Sequence, residues 1–347
     1  MSIENLASQA AVFALPMRNR FRNTDVRLGA IFHGPSGWAE FAPFPEYSDE
    51  VAGRWLAGAL EQSHGTWPKL VRKEIPINAI IPIVDVATTA ALVREAIAQG
   101  MTTIKVKVND KDFVHSDSDV DRLATIRREL NEAGLSGAIR IDVNAGWTVQ
   151  EAIEQLPKLN EAAGGVEYVE QPCTSFEELR ELKTAMASWS APIKIAVDEG
   201  IRLSANIDPQ VTREVADIAI IKSLPLGGVA RSLDIIERIG LPVIVSGSLD
   251  TGIGLVSGLH LAGCVNELAG ACGLGTGSLF AADIVAEPLV ARNGVIAVAR
   301  QTPDVDRLAQ AQPDDAKVVE WRERIVRAWN ASAQELVSKQ VRKAVLS

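Results

Sequence analysis

The stretch Thr103-Ile104-Lys105-Val106-Lys107 ends an apolar run with charged side chains, and four later stretches repeat this pattern. They are Arg140-Ile141-Asp142-Val143-Asn144, Glu167-Tyr168-Val169-Glu170-Gln171, Ile195-Ala196-Val197-Asp198-Glu199 and Ile220-Ile221-Lys222-Ser223. From Lys107 through Asp142, Glu170 and Asp198 to Lys222 the successive gaps are 35, 28, 28 and 24 residues, close to the length of one βα unit. Catalytic groups of (β/α) barrels lie at the C-terminal ends of different strands. The five stretches therefore predict a barrel with three carboxylates and two lysine positions on one rim.

Short apolar runs alternate with helix-like segments from about residue 77 onward, which is the pattern of βα units around a parallel sheet. Eight strands are predicted, the last with the weakest pattern: 78–86, 102–108, 138–144, 165–171, 193–199, 217–223, 241–246 and 270–274. Helices are predicted between them, with at most a short one in 204–216. Eight strands suffice to close a barrel, so the predicted fold class is α/β, a TIM-like (β/α) barrel.

The two ends of the chain fall outside the barrel pattern. The sequence pattern predicts two strands at 26–33 and 38–41, joined by a turn at 34–37, and a helix at 48–62. Together these elements predict a small α+β capping domain over residues 1–76. The barrel is expected over 77–285. In the remaining segment, 286–347, a strand is predicted at 294–299 and one charged amphipathic helix at 314–340. We expect this segment to pack on the barrel or on the capping domain.

Composition excludes several classes of function. The 347 residues are 47% hydrophobic and 23% charged, with a net charge of -9, which argues against a nucleic-acid partner. The three cysteines form no CxxC pair, the N-terminus lacks a signal-peptide pattern, and no apolar run reaches the length of a membrane helix. We therefore expect a cytoplasmic protein with a small-molecule partner and no membrane partner. The sequence leaves open whether the chain is a monomer or a homo-oligomer.

Alternation along the predicted strands turns the charged side chains inward. Lys105 and Lys107 share one face of their strand, whereas the apolar residues between them share the other. The same parity places Asp142, Asp198 and Lys222 opposite their apolar neighbours. Arg140 shares the inward face of Asp142, while parity predicts that Glu167 faces the helix layer.

Three carboxylates from adjacent strands form an all-oxygen site that suits Mg²⁺ rather than zinc. A lysine base must lose its proton, so its pKa has to fall toward the working pH. Burial and a second ammonium two residues away both act in that direction, as Lys105 would on Lys107. The pattern therefore predicts removal of a proton alpha to a carboxylate, with Mg²⁺ stabilising the enediolate. Structural ion pairs remain the alternative for any single member of the set.

These residues resemble the enolase superfamily, in its muconate-cycloisomerase-like subgroup. That group carries Lys-x-Lys on the second barrel strand, metal-binding acids at the ends of the third, fourth and fifth strands, and Lys on the sixth. The matches are Lys105-Val106-Lys107, Asp142-Val143-Asn144, Glu170-Gln171-Pro172, Asp198-Glu199-Gly200 and Lys222. The resemblance covers nearly the whole chain, including the capping domain.

Within the subgroup the chain resembles the o-succinylbenzoate synthase family in its actinobacterial form. The similar stretches are 37–44 (GWAEFAPF), 241–251 (LPVIVSGSLDT) and 273–276 (GLGT), together with the short capping domain. Dipeptide epimerases typically carry Asp-x-Asp on the eighth strand, and Cys272-Gly273-Leu274 has nothing comparable.

The resemblance implies a role for each matched residue. Lys107 is expected to remove the proton alpha to the carboxylate of 2-succinyl-6-hydroxy-2,4-cyclohexadiene-1-carboxylate and then to assist loss of the beta hydroxyl in a syn elimination. Lys222 is expected to stabilise the intermediate from the opposite ring face, and Lys105 to orient or assist. The expected metal ligands are Asp142, Glu170 and Asp198, for Mg²⁺ or Mn²⁺ as its substitute. The remaining expected positions are Ser246, Gly247 and Gly275 for substrate, with Asn144 and Glu199 supporting the ligands.

Two other functions remain open at the level of sequence. N-acylamino acid racemisation or cycloisomerisation uses the same machinery, because racemisation also places one lysine on each face of the substrate. A non-catalytic barrel that binds a metabolite is a hypothesis from a different class. The basic residues of segment 18–27 suit a succinyl carboxylate, although a solvated loop is the favoured explanation for them.

Overall fold

The computed structural model of the chain describes residues 2–21, 24–109 and 118–346. The N-terminal part begins with helix α1 (Ile3–Gln9) and an antiparallel sheet in the order β1-β2-β3. Its strands are β1 (Ala11–Phe21), β2 (Thr24–Gly34) and β3 (Gly37–Phe41). Gly34 pairs with Gly37, so the predicted hairpin at this turn is confirmed. Helix α2 (Asp49–His64) follows and begins at Ser48, whose hydroxyl accepts a hydrogen bond from Val51 N.

The central part of the chain alternates strands and helices around one parallel sheet. Its strands are β4 (Glu74–Pro76), β5 (Ala79–Ile81), β6 (Ile104–Lys107), β7 (Ile139–Asp142), β8 (Tyr168–Glu170), β9 (Ile195–Val197), β10 (Ile218–Ile221) and β11 (Val243–Val245). Its helices are α3 (Val86–Ala98), α4 (Asp119–Glu132), α5 (Val149–Ala162), α6 (Phe176–Met186), α7 (Glu199–Arg202), α8 (Pro209–Val215), α9 (Ser223–Leu226), α10 (Val229–Ile239) and α11 (Gly252–Cys264). Strands β5 to β11 form the parallel sheet and pair in sequence order, as expected of a barrel, whereas β4 lies outside this sheet. The short helix predicted within 204–216 is confirmed as α8.

Segment 270–274 closes the barrel without forming a regular strand. Gly273 N donates to Val245 O at 2.9 Å, and Cys272 N donates to Pro76 O at 2.7 Å. Asn78 N in turn donates to Cys272 O at 3.0 Å. The segment therefore occupies the eighth position between β11 and the chain that leads into β5, and the predicted α/β barrel with a small N-terminal domain is confirmed.

Local sequence explains where several barrel helices begin. Helices α4, α5 and α6 each start with a capping box, formed by Ser118 with Asp121, Thr148 with Glu151, and Ser175 with Glu178. In each pair the hydroxyl accepts from the backbone of the third helical residue, and the carboxylate accepts from the backbone of the cap. These short-range signals fix the lengths of the strand-to-helix loops around the rim.

The C-terminal part runs back to the N-terminal domain. After a 3-10 turn (Thr276–Leu279), strand β12 (Val295–Ala297) pairs antiparallel with β4. Helix α12 (Val305–Gln310) precedes α13 (Asp315–Ala328), a π-helical turn (Trp329–Ala333), α14 (Gln334–Leu336) and α15 (Lys339–Leu346). The single helix predicted over 314–340 is wrong, because Val337 adopts an extended backbone with ψ of 146° and Ser338 begins a new helix.

Contacts place this tail on the capping side. Arg327 Nε of α13 lies 3.0 Å from Asp49 Oδ2 at the start of α2, and Ser332 donates to Glu50 O at 2.8 Å. The buried apolar residues around β1 to β3, α2 and α13 form one cluster, which also includes Ile80 and Leu249 of the barrel rim. The N-terminal domain therefore covers the C-terminal ends of the barrel strands. Across the described residues, no helix is both long and apolar enough to cross a bilayer.

A buried arginine fills the floor of the barrel, below the level of the carboxylates. Arg140 is 1% exposed, and its Nε lies 2.5 Å from Glu167 Oε2. Its Nη1 donates to Asn78 Oδ1 at 3.0 Å and to Ala271 O at 2.6 Å, and its guanidinium lies 5.0 Å from the Tyr168 ring. The prediction that Glu167 faces the helix layer is wrong, because Glu167 precedes β8 and its carboxylate turns back to Arg140.

Replacement of this arginine is expected to weaken the barrel. Arg140→Met leaves Asn78 Oδ1 and Ala271 O without their donor, so the free energy of unfolding should fall by about 2–4 kcal/mol. The matched control is Arg180→Met, whose pair with Glu214 has side chains 44% and 47% exposed and is expected to contribute less than about 1 kcal/mol. Urea unfolding measures both changes. Equal small losses would show that the floor contacts do not support the closed barrel.

Candidate active site

Register brings the charged residues of three strands to one level. Lys107 pairs with Asp142 across β6 and β7, and Asp142 pairs with Glu170 across β7 and β8. Asp198 follows β9 directly, and Lys222 follows β10. The structure thus brings together the lysines and carboxylates that the sequence singled out, at the C-terminal ends of neighbouring strands. Segment 110–117, which follows Lys107, lies outside the described residues.

Lys105 bridges two carboxylates in the barrel interior. Its Nζ donates to Asp142 Oδ2 at 2.9 Å and to both oxygens of Glu170 at 2.9 and 3.0 Å. The residue is 4% exposed. Although burial opposes its charged form, Asp142 and Glu170 raise the pKa of Lys105 well above its usual range. These two carboxylates therefore favour the charged form of Lys105.

Lys107 lies one layer higher, nearer the opening. Its Nζ lies 2.5 Å from Asp142 Oδ2 and donates to Asn144 Oδ1 at 2.7 Å. Its side chain is 12% exposed, against 5% for Lys105. Of the two lysines on β6, Lys107 is thus the more accessible from the opening.

Lys222 approaches from the other side of the barrel. Its Nζ lies 2.6 Å from Asp198 Oδ2. Strands β6 and β10 are four positions apart in the sheet, and the closed barrel has eight positions. The two lysine positions therefore face each other across the barrel, with the carboxylates between them.

The ends of strands β7 and β8 adopt a rarely populated backbone conformation that aims polar groups at the site. Asn144 has φ of 50° and Gln171 has φ of 39°. Asn144 Nδ2 donates to Glu199 Oε1 at 3.2 Å, which links the two residues predicted to support the metal ligands. Gln171 Oε1 accepts from Asp198 N and Gly200 N, both at 3.1 Å. Sequence reasoning gave Gln171 no role, although its place beside Glu170 was the available signal.

The three carboxylates are close enough to interact. Burial and then the negative charge of Asp142 raise the pKa of Glu170 to about 7, and Asp198 acts in the same direction. Burial alone would raise the pKa of Asp142, but the ammonium groups of Lys105 and Lys107 hold it well below its usual range. The site is therefore a buried anionic cluster that is balanced by lysine ammonium groups.

This donor set fits a hard divalent cation. Asp142, Glu170 and Asp198 are at most 1% exposed and present only carboxylate oxygens, the ligands that Mg²⁺ and Mn²⁺ prefer. Ammonium groups lie among them, and within residues 2–21, 24–109 and 118–346 no three His, Cys, Asp or Glu side chains stand in position to hold a metal ion directly. A cation at this site would therefore compete with the lysine ammonium groups for the same carboxylate oxygens.

A cavity opens above the lysines. Its empty volume is about 340 Å³, open solvent included. Its walls are Phe44, Ile80, Lys105, Lys107, Lys222, Ser246, Gly247, Ser248, Leu249 and Thr276. The predicted substrate neighbours Ser246 and Gly247 lie here. Gly275 instead lines an adjacent cavity with Arg18 and Ile80, and Arg18 Nε donates to Phe280 O at 2.8 Å.

The wall formed by segment 246–251 is held by the N-terminal domain. Arg27, 1% exposed, donates from Nε to Leu249 O at 3.0 Å and from Nη2 to Ser248 O at 3.2 Å. Glu40, fully buried, accepts from Thr251 N at 3.1 Å and from Gly254 N at 3.2 Å. Arg27 belongs to the basic segment 18–27, which the sequence suggested for a succinyl carboxylate or a solvated loop, whereas its buried guanidinium holds backbone oxygens. Sequence reasoning missed Glu40. Stretch 37–44 carried the signal for Glu40, because the fourth residue of this otherwise mostly apolar stretch is charged.

Comparison with known proteins defines the family. Residues 88–303 match the enolase C-terminal domain-like family, and residues 12–63 match the enolase N-terminal domain-like family. The chain is 40% identical over 326 residues to o-succinylbenzoate synthase of Mycolicibacterium smegmatis. This alignment covers 93% of this chain and 96% of that protein. The chain belongs to the o-succinylbenzoate synthase family. Members from Mycobacterium tuberculosis H37Rv (42% identical; 88% of this chain, 89% of that protein) and Thermobifida fusca (39%; 91% and 94%) are similarly related.

Solved structures of other enolase-superfamily enzymes share the fold of this o-succinylbenzoate synthase family member. Muconate lactonizing enzyme from Pseudomonas fluorescens, complexed with muconolactone, aligns with a TM-score of 0.69 at 18% identity, covering 88% of this chain and 98% of that chain. L-Ala-D/L-Glu epimerase from Bacillus subtilis aligns with a TM-score of 0.67 at 19% identity, covering 85% and 96%. At these identities the likeness shows the barrel and its N-terminal domain. Membership of the family implies an enzyme that depends on a divalent metal and acts on a small molecule.

The buried acids around Glu40 predict a pH dependence of stability. Burial and then the negative charge of Asp250 raise the pKa of Glu40 to about 8 from an ordinary 4.5; Asp283 adds to the increase, while Thr251 and Arg27 oppose it. Between these values the folded chain holds a proton that the unfolded chain releases. The free energy of unfolding should therefore fall by up to about 1.4 kcal/mol per unit as pH rises from 4.5 to 8.

Comparison of variants isolates this contribution. Glu40→Gln cannot titrate, so its unfolding free energy should lose less between pH 5 and pH 8 than that of the wild type in urea titrations. The matched control, Glu177→Gln, changes an exposed carboxylate on α6 and should keep the wild-type slope. A wild-type slope in Glu40→Gln would show that Glu40 is already ionised in the folded chain at pH 5.

Proposed function

We propose that this chain catalyses Mg²⁺-dependent syn elimination of water from 2-succinyl-6-hydroxy-2,4-cyclohexadiene-1-carboxylate, which gives o-succinylbenzoate for menaquinone biosynthesis. The observation that carries the proposal is the pair of lysine positions on opposite walls of one cavity, with three buried carboxylates beneath. The names of relatives that are about 40% identical over most of the chain support the same reaction. We place the reaction in the cytoplasm.

Lys107 is the proposed base and then the proposed acid. It removes the proton alpha to the substrate carboxylate, and the electron pair of the C–H bond passes into the carboxylate as an enediolate. The C–O bond to the beta hydroxyl then breaks, and Lys107 returns its proton to the departing oxygen as water, so the ring becomes aromatic. One lysine serves both transfers because proton and hydroxyl leave from the same face.

The other two lysines supply fixed charge. Lys105 lies deeper in the barrel than Lys107, and Asp142 and Glu170 favour its protonated form, so in this proposal it stabilises negative charge without taking the proton. Lys222, held by Asp198, faces the opposite side of the ring, where its ammonium can contact the π-system as aromaticity develops. When bound at Asp142, Glu170 and Asp198, Mg²⁺, or Mn²⁺ in its place, supplies positive charge beside the substrate carboxylate.

The cavity walls fit a small cyclic carboxylate. Phe44, Ile80 and Leu249 present apolar surface to a ring. Ser246 Oγ donates to Gly273 O at 3.2 Å and can still accept a hydrogen bond from a substrate, whereas Gly247 N is bonded to Gly273 O at 3.0 Å. We propose Ser246 as a substrate contact and Gly247 as a close neighbour of the substrate. Gly275 lines the adjacent cavity, which shares Ile80 with the cavity above the lysines. We propose Gly275 as a substrate neighbour there, because Arg18 in the same cavity suits a second carboxylate.

Racemisation of an N-acylamino acid is the rival reaction on the same machinery. Lysines on opposite walls also suit removal of a proton from one face and its return to the other. The relatives do not favour this alternative, since their names give the synthase reaction. Exchange of solvent deuterium into an N-acylamino acid, without formation of an aromatic product, would support racemisation.

Removal of the proposed base should abolish most turnover. Lys107→Ala is expected to lower kcat by at least about 10²-fold, because no other amine replaces the proton transfer. Formation of the aromatic product is followed by its absorbance. Lys158→Ala, an exposed lysine on α5, is the matched control and should retain wild-type turnover. Near wild-type kcat in Lys107→Ala would remove Lys107 from the mechanism.

Removal of the metal should stop the reaction reversibly. After treatment with EDTA and buffer exchange, the wild-type chain is expected to lose turnover by at least about 10²-fold and to recover it on addition of Mg²⁺ or Mn²⁺. Asp142→Asn should not recover at the same metal concentration, because it loses one charged ligand. Full turnover in EDTA would contradict a metal-dependent mechanism.

A further inference from the structure

A chain of contacts connects the N-terminal domain to one of the proposed metal ligands. Asp198 lies between two cations, with Oδ2 at 2.6 Å from Lys222 Nζ and Oδ1 at 3.1 Å from Arg202 Nε. Arg202 is 2% exposed, at the C-terminal end of the short helix α7 that Asp198 begins. One oxygen of Asp198 thus faces the cavity side while the arginine holds the other.

Arg202 is itself held from outside the barrel. Its Nη1 donates to the hydroxyl of Tyr47 at 2.5 Å, and its Nη2 lies 2.7 Å from Glu199 Oε1. Arg54 of α2 donates to the backbone oxygens of Arg202 and Ser204 at 3.2 and 2.7 Å. Both Tyr47 and Arg54 belong to the N-terminal part of the chain, so the capping side fixes both the guanidinium and the backbone of this residue.

Helix α13 holds the turn that carries Tyr47. Tyr47 N donates to Phe44 O at 3.1 Å, and Arg324 of α13 donates to the oxygens of Phe44 and Tyr47, both at 2.9 Å. Phe44 also lines the cavity above the lysines. The same turn therefore forms a wall of the cavity and holds the arginine behind Asp198.

We propose that Arg202 is a positioning residue that fixes Asp198 for the divalent cation, and that the Tyr47 hydroxyl makes this positioning depend on the docked capping domain. The inference rests on the metal site of the proposed function. Its physical basis is that partners behind a ligand orient it and tune its basicity, and their loss typically lowers metal affinity about 10- to 100-fold. A carboxylate with two rotatable bonds and no such partner samples orientations that do not face the cation.

Tyr47→Phe removes one hydroxyl and keeps the ring that packs against Phe44. Because Tyr47 acts through Arg202, the dissociation constant for Mn²⁺, measured by titration calorimetry without substrate, is expected to rise about 5- to 10-fold. Arg202→Lys keeps the charge but loses the fork of donors, and should raise it about 10- to 100-fold. The midpoint of thermal unfolding should change little in Tyr47→Phe.

Two controls separate this role from general loosening of the capping domain. Gln62→Met removes bonds from α2 to Ile253 O and Trp38 O, at 2.8 and 3.1 Å, without touching Arg202, and should leave Mn²⁺ affinity within about twofold. In a double-mutant cycle, Tyr47→Phe should have no further effect on Mn²⁺ affinity in the Arg202→Lys background. An independent structural role of Tyr47 would instead give additive losses.

The outcomes distinguish this inference from the proposed function. Failure of the wild-type chain to bind Mn²⁺ would overturn the metal site and this inference together. Wild-type binding and turnover with unchanged Mn²⁺ affinity in Tyr47→Phe would overturn the inference and leave the proposed function intact. A change only in KM for the organic substrate, or an equal loss of metal affinity in Gln62→Met, would also overturn it.

Discussion

The buried charges at the end of the barrel strands constrain the rest of the structure. Three carboxylates and the lysines Lys105, Lys107 and Lys222 are largely withdrawn from water there, and each charge would be costly to bury alone. Their mutual contacts within 2.5 to 3.0 Å balance the charge without making the site a strong source of stability. Its role in our proposal is to receive a divalent cation and an anionic substrate.

The N-terminal domain completes the site as well as covering it. Arg27 and Glu40 hold the segment that lines one wall, while Tyr47 and Arg54 hold the arginine behind Asp198. The C-terminal helix α13 then fixes the turn that carries Tyr47 through Arg324. Contacts from both ends of the chain thus lead to Asp198, which we propose as a metal ligand.

Predictions from sequence succeeded where they relied on short-range physics. Alternation along Lys105 to Lys107 and around Asp142 required only the two-residue period of a strand, and the structure places these side chains inside the barrel. The prediction for Glu167 failed because this residue precedes its strand, where parity no longer applies. The helix over 314–340 failed because amphipathic composition alone does not locate the break at Val337.

The sequence by itself determined the barrel, the five charged positions on its rim and the family resemblance, because strand parity and the length of a βα unit are local properties of the chain. The tertiary structure alone decided which partners hold these positions. Tyr47 meets Arg202 across 155 residues, Arg27 meets Leu249 across 222, and Thr251 meets Glu40 across 211. Such pairs follow from the way two domains pack, and no periodicity in a single sequence encodes that geometry.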